Sequence, residues 1–121
     1  MYEQEGYDLI GAAIEVYNEM KHGLLEDVYQ ECLEKELSDR NIPFESQKTL
    51  HIYFKGYKLN KYYRPDLYVY DGIVVELKAI KAIGNNEMAQ LINYLKLSRK
   101  HVGYLLNFGH PEKLDWHRIV I

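Results

Sequence analysis

The chain has 121 residues, of which 47% are hydrophobic and 27% charged, with only three prolines and eight glycines; this excludes a disordered or low-complexity chain and leaves room for one hydrophobic core. No apolar run approaches the roughly 20 residues that cross a bilayer, and the acidic opening Met1-Tyr2-Glu3-Gln4-Glu5 is unlike a secretory signal, so a cytoplasmic protein without membrane association is expected. A net charge of −3 argues against a strongly basic nucleic-acid binder, although acidic ligands attract phosphate once they are loaded with divalent cations.

In chain order, Ile10, Ala13, Ile14 and Tyr17 repeat at helical spacing and predict a helix over residues 7–20, broken at His22-Gly23. A second helix is expected over about 24–39, its stripe formed by Leu25, Val28, Tyr29, Cys32, Leu33 and Leu37. Cys32, the only cysteine, reads as a core thiol and excludes both a disulfide framework and a cysteine-rich zinc site. Glu36 interrupts the stripe, and Asn41-Ile42-Pro43 ends the block because proline disfavours helix in the residue before it.

Over residues 48–78 the period falls to two. Leu50, Ile52 and Phe54 alternate with polar partners, Lys55-Gly56 turns, Lys58 to Tyr70 is tyrosine-rich, and Ile73 to Lys78 is β-branched. This predicts a three-stranded antiparallel meander. Helix returns over residues 86–98 (Met88, Leu91, Ile92, Leu95), followed by strands at His101 to Leu106 and Arg118 to Ile121. The expected order is α-α-β-β-β-α-β-β, an α/β chain read as one domain over residues 1–121.

Chemistry concentrates in Pro65-Asp66 and Glu76-Leu77-Lys78. Two acids and a lysine at this spacing are common by chance, but Glu76 and Lys78 close an apolar strand where packing alone would favour more Val or Ile. Parity gives a sharper expectation. A two-residue hairpin loop at Asp71-Gly72 would put Asp66 and Glu76 on opposite faces; a three-residue loop, Tyr70-Asp71-Gly72, pairs them. Gly72 in the left-handed region would suit the three-residue form. Arg64, Asp66, Tyr68, Val74, Glu76 and Lys78 then share a face.

Two carboxylates on one face suit magnesium, which takes one or two carboxylates and keeps several waters; the Leu77 main-chain carbonyl would add a ligand. Such an ion lowers the pKa of water and polarises phosphate, and Lys78 beside it would stabilise charge developing on phosphorus. The competing reading is a cross-strand salt-bridge cluster of Asp66, Glu76 and Lys78 on a solvated sheet face.

Gly23-Leu24-Leu25-Glu26-Asp27-Val28-Tyr29 resembles the G-x-x-E-x-x-Y signature of the GxxExxY family, placed in the PD-(D/E)xK nuclease superfamily. The resemblance continues through Tyr63-Arg64-Pro65-Asp66-Leu67, Val75-Glu76-Leu77-Lys78-Ala79, Ala89 to Lys96 and Gly103 to Gly109, in family order over nearly the whole chain. His22 departs from the proline such proteins often carry there. The resemblance implies a restriction-endonuclease-like core, a mixed central β-sheet flanked by helices. It matches Glu26 to the helix-borne acid, Asp66 to the metal-binding aspartate, Glu76 and Lys78 to the E-x-K pair, and Gln90 to the helix glutamine. On a helical wheel Glu26 aligns with Leu33 and Leu37, an inward edge where an unpaired acid is costly, so contact with the metal through water, or with Lys78, is expected. Gln90 shares an outer face with Glu87 and Tyr94.

The implied function is a Mg2+- or Mn2+-dependent nuclease hydrolysing phosphodiester bonds, with DNA the expected substrate. Arg64, Lys61 and Tyr94 are candidate nucleic-acid contacts. Tyr62, Tyr63, Tyr68 and Tyr70 read either as stacking groups or as ordinary strand residues. The five histidines show no metal-ligand spacing. The alternative is a non-catalytic nucleic-acid-binding or protein-interaction module that retains the nuclease fold. A chain this small has little surface to grip a duplex, so a homodimer or larger assembly fits either reading.

Overall fold

The computed structural model describes residues 1–121. Two helices, α1 (Glu3–Met20) and α2 (Glu26–Asp39), precede five strands: β1 (Phe44–Ser46), β2 (Leu50–Phe54), β3 (Tyr57–Tyr63), β4 (Leu67–Val69) and β5 (Ile73–Lys78). Helix α3 (Asn85–Ser98) and strands β6 (Val102–Asn107) and β7 (Asp115–Val120) follow. No helix is long and apolar enough to cross a membrane.

Strands β1-β4-β5-β6-β7 form one sheet in that order, and β2-β3 form a separate ribbon. Only β5 and β6, joined through α3, run parallel; the other pairs are antiparallel. The expected order therefore gains two strands. β1 is a three-residue edge strand, too short to show a period. The expected strand from Lys58 to Tyr70 is cut at Arg64-Pro65-Asp66, where proline has no N–H for a ladder, and its halves enter different sheets.

The three-residue loop after β4 is present. Leu67 pairs with Val75, Tyr68 with Val74 and Val69 with Ile73, which leaves Tyr70-Asp71-Gly72 as the connection. The expected reason is corrected: Tyr70 and Asp71, each at φ 52°, take the left-handed conformation. Gly72 lets the Tyr2 ring lie close against the turn: a Cβ there would come within 1.9 Å of the Tyr2 hydroxyl and push that side chain aside.

Side chains alternate across the main sheet. Leu67, Val69, Ile73, Val75 and Leu77 meet α1 and α2, while Tyr68, Val74 and Leu105 meet Leu91 and Leu95 of α3 together with Leu50 and Tyr63 of the ribbon. The helical stripes run slightly differently from those read in the sequence. Leu9, Ala12 and Val16 are buried in α1, whereas Ile14 is exposed. In α2 only Tyr29, Leu33 and Leu37 are buried. Leu25 and Val28 are exposed, and Cys32 is half-buried rather than a core thiol. Glu36 is accommodated at the stripe's margin by Arg40, 2.7 Å away.

One buried amide fixes the approach to α3. Asn107 Oδ1 accepts from the N–H groups of Ile80 (2.9 Å) and Gly109 (3.0 Å), and its Nδ2 donates to Asp115 Oδ2 at 3.2 Å. Asp115 Oδ2 also accepts from the Ile83 N–H at 2.9 Å. Lost hydration pushes the Asp115 carboxyl up, but the Ile83 N–H, Asn107 and His117 outweigh it and the group sits below its ordinary range.

Replacing Asn107 with Leu preserves volume but leaves two main-chain N–H groups without their acceptor. Each such orphan costs about 1–3 kcal/mol, so Asn107→Leu is expected to lower unfolding free energy by roughly 2–6 kcal/mol, read from denaturant titration.

Candidate active site

Four segments converge at the C-terminal end of β5. Asp66 lies in the break before β4, Glu76 and Lys78 end β5, Glu26 opens α2, and Gln90 lies on α3. Pro65 is the reason Asp66 is free of the β3 ladder. Its carboxylate Oδ2 accepts the Leu77 N–H at 2.8 Å, which pins it beside Glu76. A missed residue secures the other side: Gln30 Nε2 donates to the main-chain carbonyl of Asp66 at 2.9 Å and to Glu34 Oε2 at 3.2 Å.

Glu76 is half-buried, and its Oε1 accepts the hydroxyl of Tyr63. Tyr63 is buried and stacked on Tyr94, ring centroids 4.2 Å apart. Burial first, then the negative charge of Asp66, push the Glu76 carboxyl up to about 8; its hydrogen bond to Asp66 adds to this, while Tyr63 and Lys78 pull the other way. Burial and the Glu76 charge raise the Tyr63 hydroxyl above its usual range, so it stays a donor.

Lys78 makes no ion pair with either acid: Nζ donates to Gln90 Oε1 at 3.4 Å. The salt-bridge cluster is therefore corrected to a carboxylate pair without a bonded cation, next to a lysine held by an amide. Glu26 also differs from expectation. It is the first residue of α2 and exposed, not on an inward edge. Desolvation, then Asp66, nevertheless raise its carboxyl, and Lys78 lowers it, so it faces the same group of charges.

The G-x-x-E-x-x-Y segment has a structural logic. Gly23 takes φ 102° between α1 and α2, a conformation that favours glycine. Tyr29 closes the turn: its hydroxyl donates to the Lys21 carbonyl and accepts the Leu24 N–H at 3.1 Å. Its ring stacks on Phe108 at 4.8 Å, and the Phe108 N–H donates to the Lys78 carbonyl at 2.9 Å. The start of α2 is thus tied to the strand end that carries Lys78.

No three His, Cys, Asp or Glu side chains come close enough to enclose a cation unaided. The side chains brought together there are two carboxyl groups, hard oxygen donors of the kind magnesium accepts. The crowded acids Asp66 and Glu76 meet that requirement. The nucleic-acid candidates are dispersed. Lys61 is exposed on β3; Arg64 donates to Thr49 Oγ1 at 2.9 Å and lies 4.9 Å from the Tyr62 ring. Tyr94 is half-buried in its stack on Tyr63.

Gln30 has one signal in the sequence, its place one helical turn after Glu26 in α2; Tyr63 is among the four tyrosines read as stacking groups or strand residues, and nothing local marks its bond to Glu76.

A family model described as the PD-(D/E)XK nuclease superfamily matches residues 3–119. The chain is also similar to a solved structure described as the crystal structure of SSO0001, with 22% identity and a TM-score of 0.59. The match covers 98% of this chain and 60% of that one, and at such identity it concerns the fold alone. No curated protein matches. The mixed central sheet with three helices agrees with the restriction-endonuclease-like core expected from the motifs.

The raised Glu76 carboxyl has a signed consequence for the metal-free protein. Between the ordinary carboxylate range and about pH 8 the folded state keeps a proton that the unfolded state has lost, so stability falls as pH rises across that window. In chelator, Glu76→Gln is expected to remove most of this decline and gain roughly 2–4 kcal/mol over the parent at pH 8.5. Thermal unfolding at pH 5 and 8.5 checks it.

Proposed function

The chain belongs to the PD-(D/E)XK nuclease superfamily, and from that premise we propose that it is a divalent-metal-dependent phosphodiesterase acting on nucleic acid, with DNA as substrate. The observation that carries this reading is the convergence of Asp66 and Glu76 on one face with no cation bonded to either, beside a Lys78 held by Gln90. Within the superfamily we place the chain in the GxxExxY group, on the Gly23, Glu26 and Tyr29 spacing. Residues 1–121 then constitute one nuclease-like domain of a cytoplasmic protein.

Asp66, Glu76 and the Leu77 carbonyl would hold Mg2+ or Mn2+, with Glu26 reaching it through water. When bound, the ion activates water and offsets negative charge on the phosphate. The chain's own groups do the rest. Tyr63 holds the Glu76 carboxylate in orientation, and the Leu77 N–H and Gln30 fix Asp66 from both ends. Lys78 presents an ammonium to the phosphate as water adds to phosphorus and one P–O bond breaks, stabilising the added charge. Gln90 keeps that ammonium in place and faces the substrate from α3. Lys61 and Arg64 offer charge to the flanking backbone.

Calorimetry with Mn2+ and Mg2+ tests the carboxylate site. The parent is expected to bind and an Asp66→Ala/Glu76→Ala variant to lose binding, while Lys78→Ala binds metal but cleaves DNA about 10²–10³-fold more slowly. Absence of metal binding by the folded parent, with or without nucleic acid, would replace the enzyme with a non-catalytic binding module.

A further inference from the structure

The β2–β3 ribbon carries a pattern that the carboxylate site does not use. From Ser46 to Pro65 the sequence contains no Asp or Glu and five Lys or Arg residues, in a chain whose net charge is −3. Lys48 approaches Glu45, but Lys55, Lys58, Lys61 and Arg64 form no ion pair. Every residue from Tyr53 to Tyr62 is exposed, including large apolar groups: Phe54 is 60% and Tyr57 74% exposed. Strand propensity accounts for tyrosines in a ribbon, but it does not account for leaving Phe54 and Leu59 in water.

Rings and cations already associate here, Lys55 lying 5.5 Å from the Phe54 ring and Arg64 4.9 Å from that of Tyr62. Tyr62 pairs with His51 and Lys58 with Tyr53, so residues 59–61 bulge from the ladder and the exposed rings and cations of β3 are not confined to one face. β3 ends in Tyr63, whose hydroxyl donates to Glu76. The strand that bears these groups therefore leads from the exposed hairpin tip to the carboxylate pair.

We propose that the β2–β3 hairpin is a grip for unpaired nucleic acid, its exposed rings stacking on bases and its lysines holding phosphates. Aromatic faces and backbone-tracking cations together are the chemistry of single-strand binding; duplex bases have their faces occupied and are poor partners for such rings. The direction of the track, toward Asp66 and Glu76, rests on the phosphodiesterase reading above.

Fluorescence anisotropy in chelator, with labelled single-stranded DNA, single-stranded RNA and duplex DNA of equal length, separates the two ideas. The parent is expected to bind unpaired strands more tightly than duplex, and the DNA and RNA arms identify which is preferred. Tyr57→Ala/Tyr62→Ala is expected to weaken single-strand binding roughly 5- to 150-fold per stacking ring with an unchanged salt slope. Lys58→Ala/Lys61→Ala is expected to reduce that slope by about 0.7 per lysine. Circular dichroism confirms folding, and a Lys55→Ala/Lys58→Ala tip variant gives the same slope test should the ring variant unfold. Affinities within twofold of the parent in the folded variants overturn the grip, as does equal binding to duplex or burial of the hairpin in a second copy by sedimentation. If the variants bind like the parent and metal-loaded parent still cleaves, only the grip fails. If binding depends on the hairpin but metal-loaded parent cleaves nothing, the grip holds and the phosphodiesterase reading fails.

Discussion

Two carboxyl groups held together away from bulk water are the constraint around which this molecule is arranged. Asp66 and Glu76 repel when both are ionised, and burial compounds the penalty. A chain selected for stability alone would separate them or supply a partner. Instead the surroundings hold them in place: the Leu77 N–H donates to the Asp66 carboxylate, Gln30 anchors its main chain from α2, and Tyr63 orients Glu76. These contacts fix the two carboxyl groups without a bonded side-chain cation, which leaves their oxygens open to an exogenous one.

The core makes that arrangement affordable. On the face opposite the acids, Val75 and Leu77 are buried against α1 and α2, and on the same face Val74 and Tyr68 pack under α3 and the ribbon. Glu76 and Lys78 thus extend a row of apolar residues past the point where helix covers the sheet. The site is where packing stops, and the strand itself delivers it there.

Much of this was legible in one dimension. The helices were visible in their period, and the β4–β5 register followed from parity: a two-residue loop would have separated Asp66 from Glu76, and the observed pairing of Leu67 with Val75 brings them together. Other features lacked a local signal. β1 is too short to alternate, and the Lys58 to Tyr70 stretch keeps one composition across the proline that divides it between two sheets. The helical wheel placed Glu26 inward, but at the first position of α2 the helix has barely begun and its sides are not yet defined by packing. The roles of Gln30 and Tyr63 depend on contacts across 36 and 13 residues, and Asn107 serves loops on either side of it. No window on the sequence reports such partners.

The parallel pairing of β5 with β6 also fixes an order of assembly. β4 and β5 are neighbours in the chain and can meet through a tight turn, whereas β6 arrives only after all of α3 has been spanned. Non-local pairings of this kind close late because loop entropy is lost before contacts compensate it. The two acids therefore come together while β5 still has an open edge, before the Phe108 N–H reaches Lys78 and before the Gln90 helix is docked.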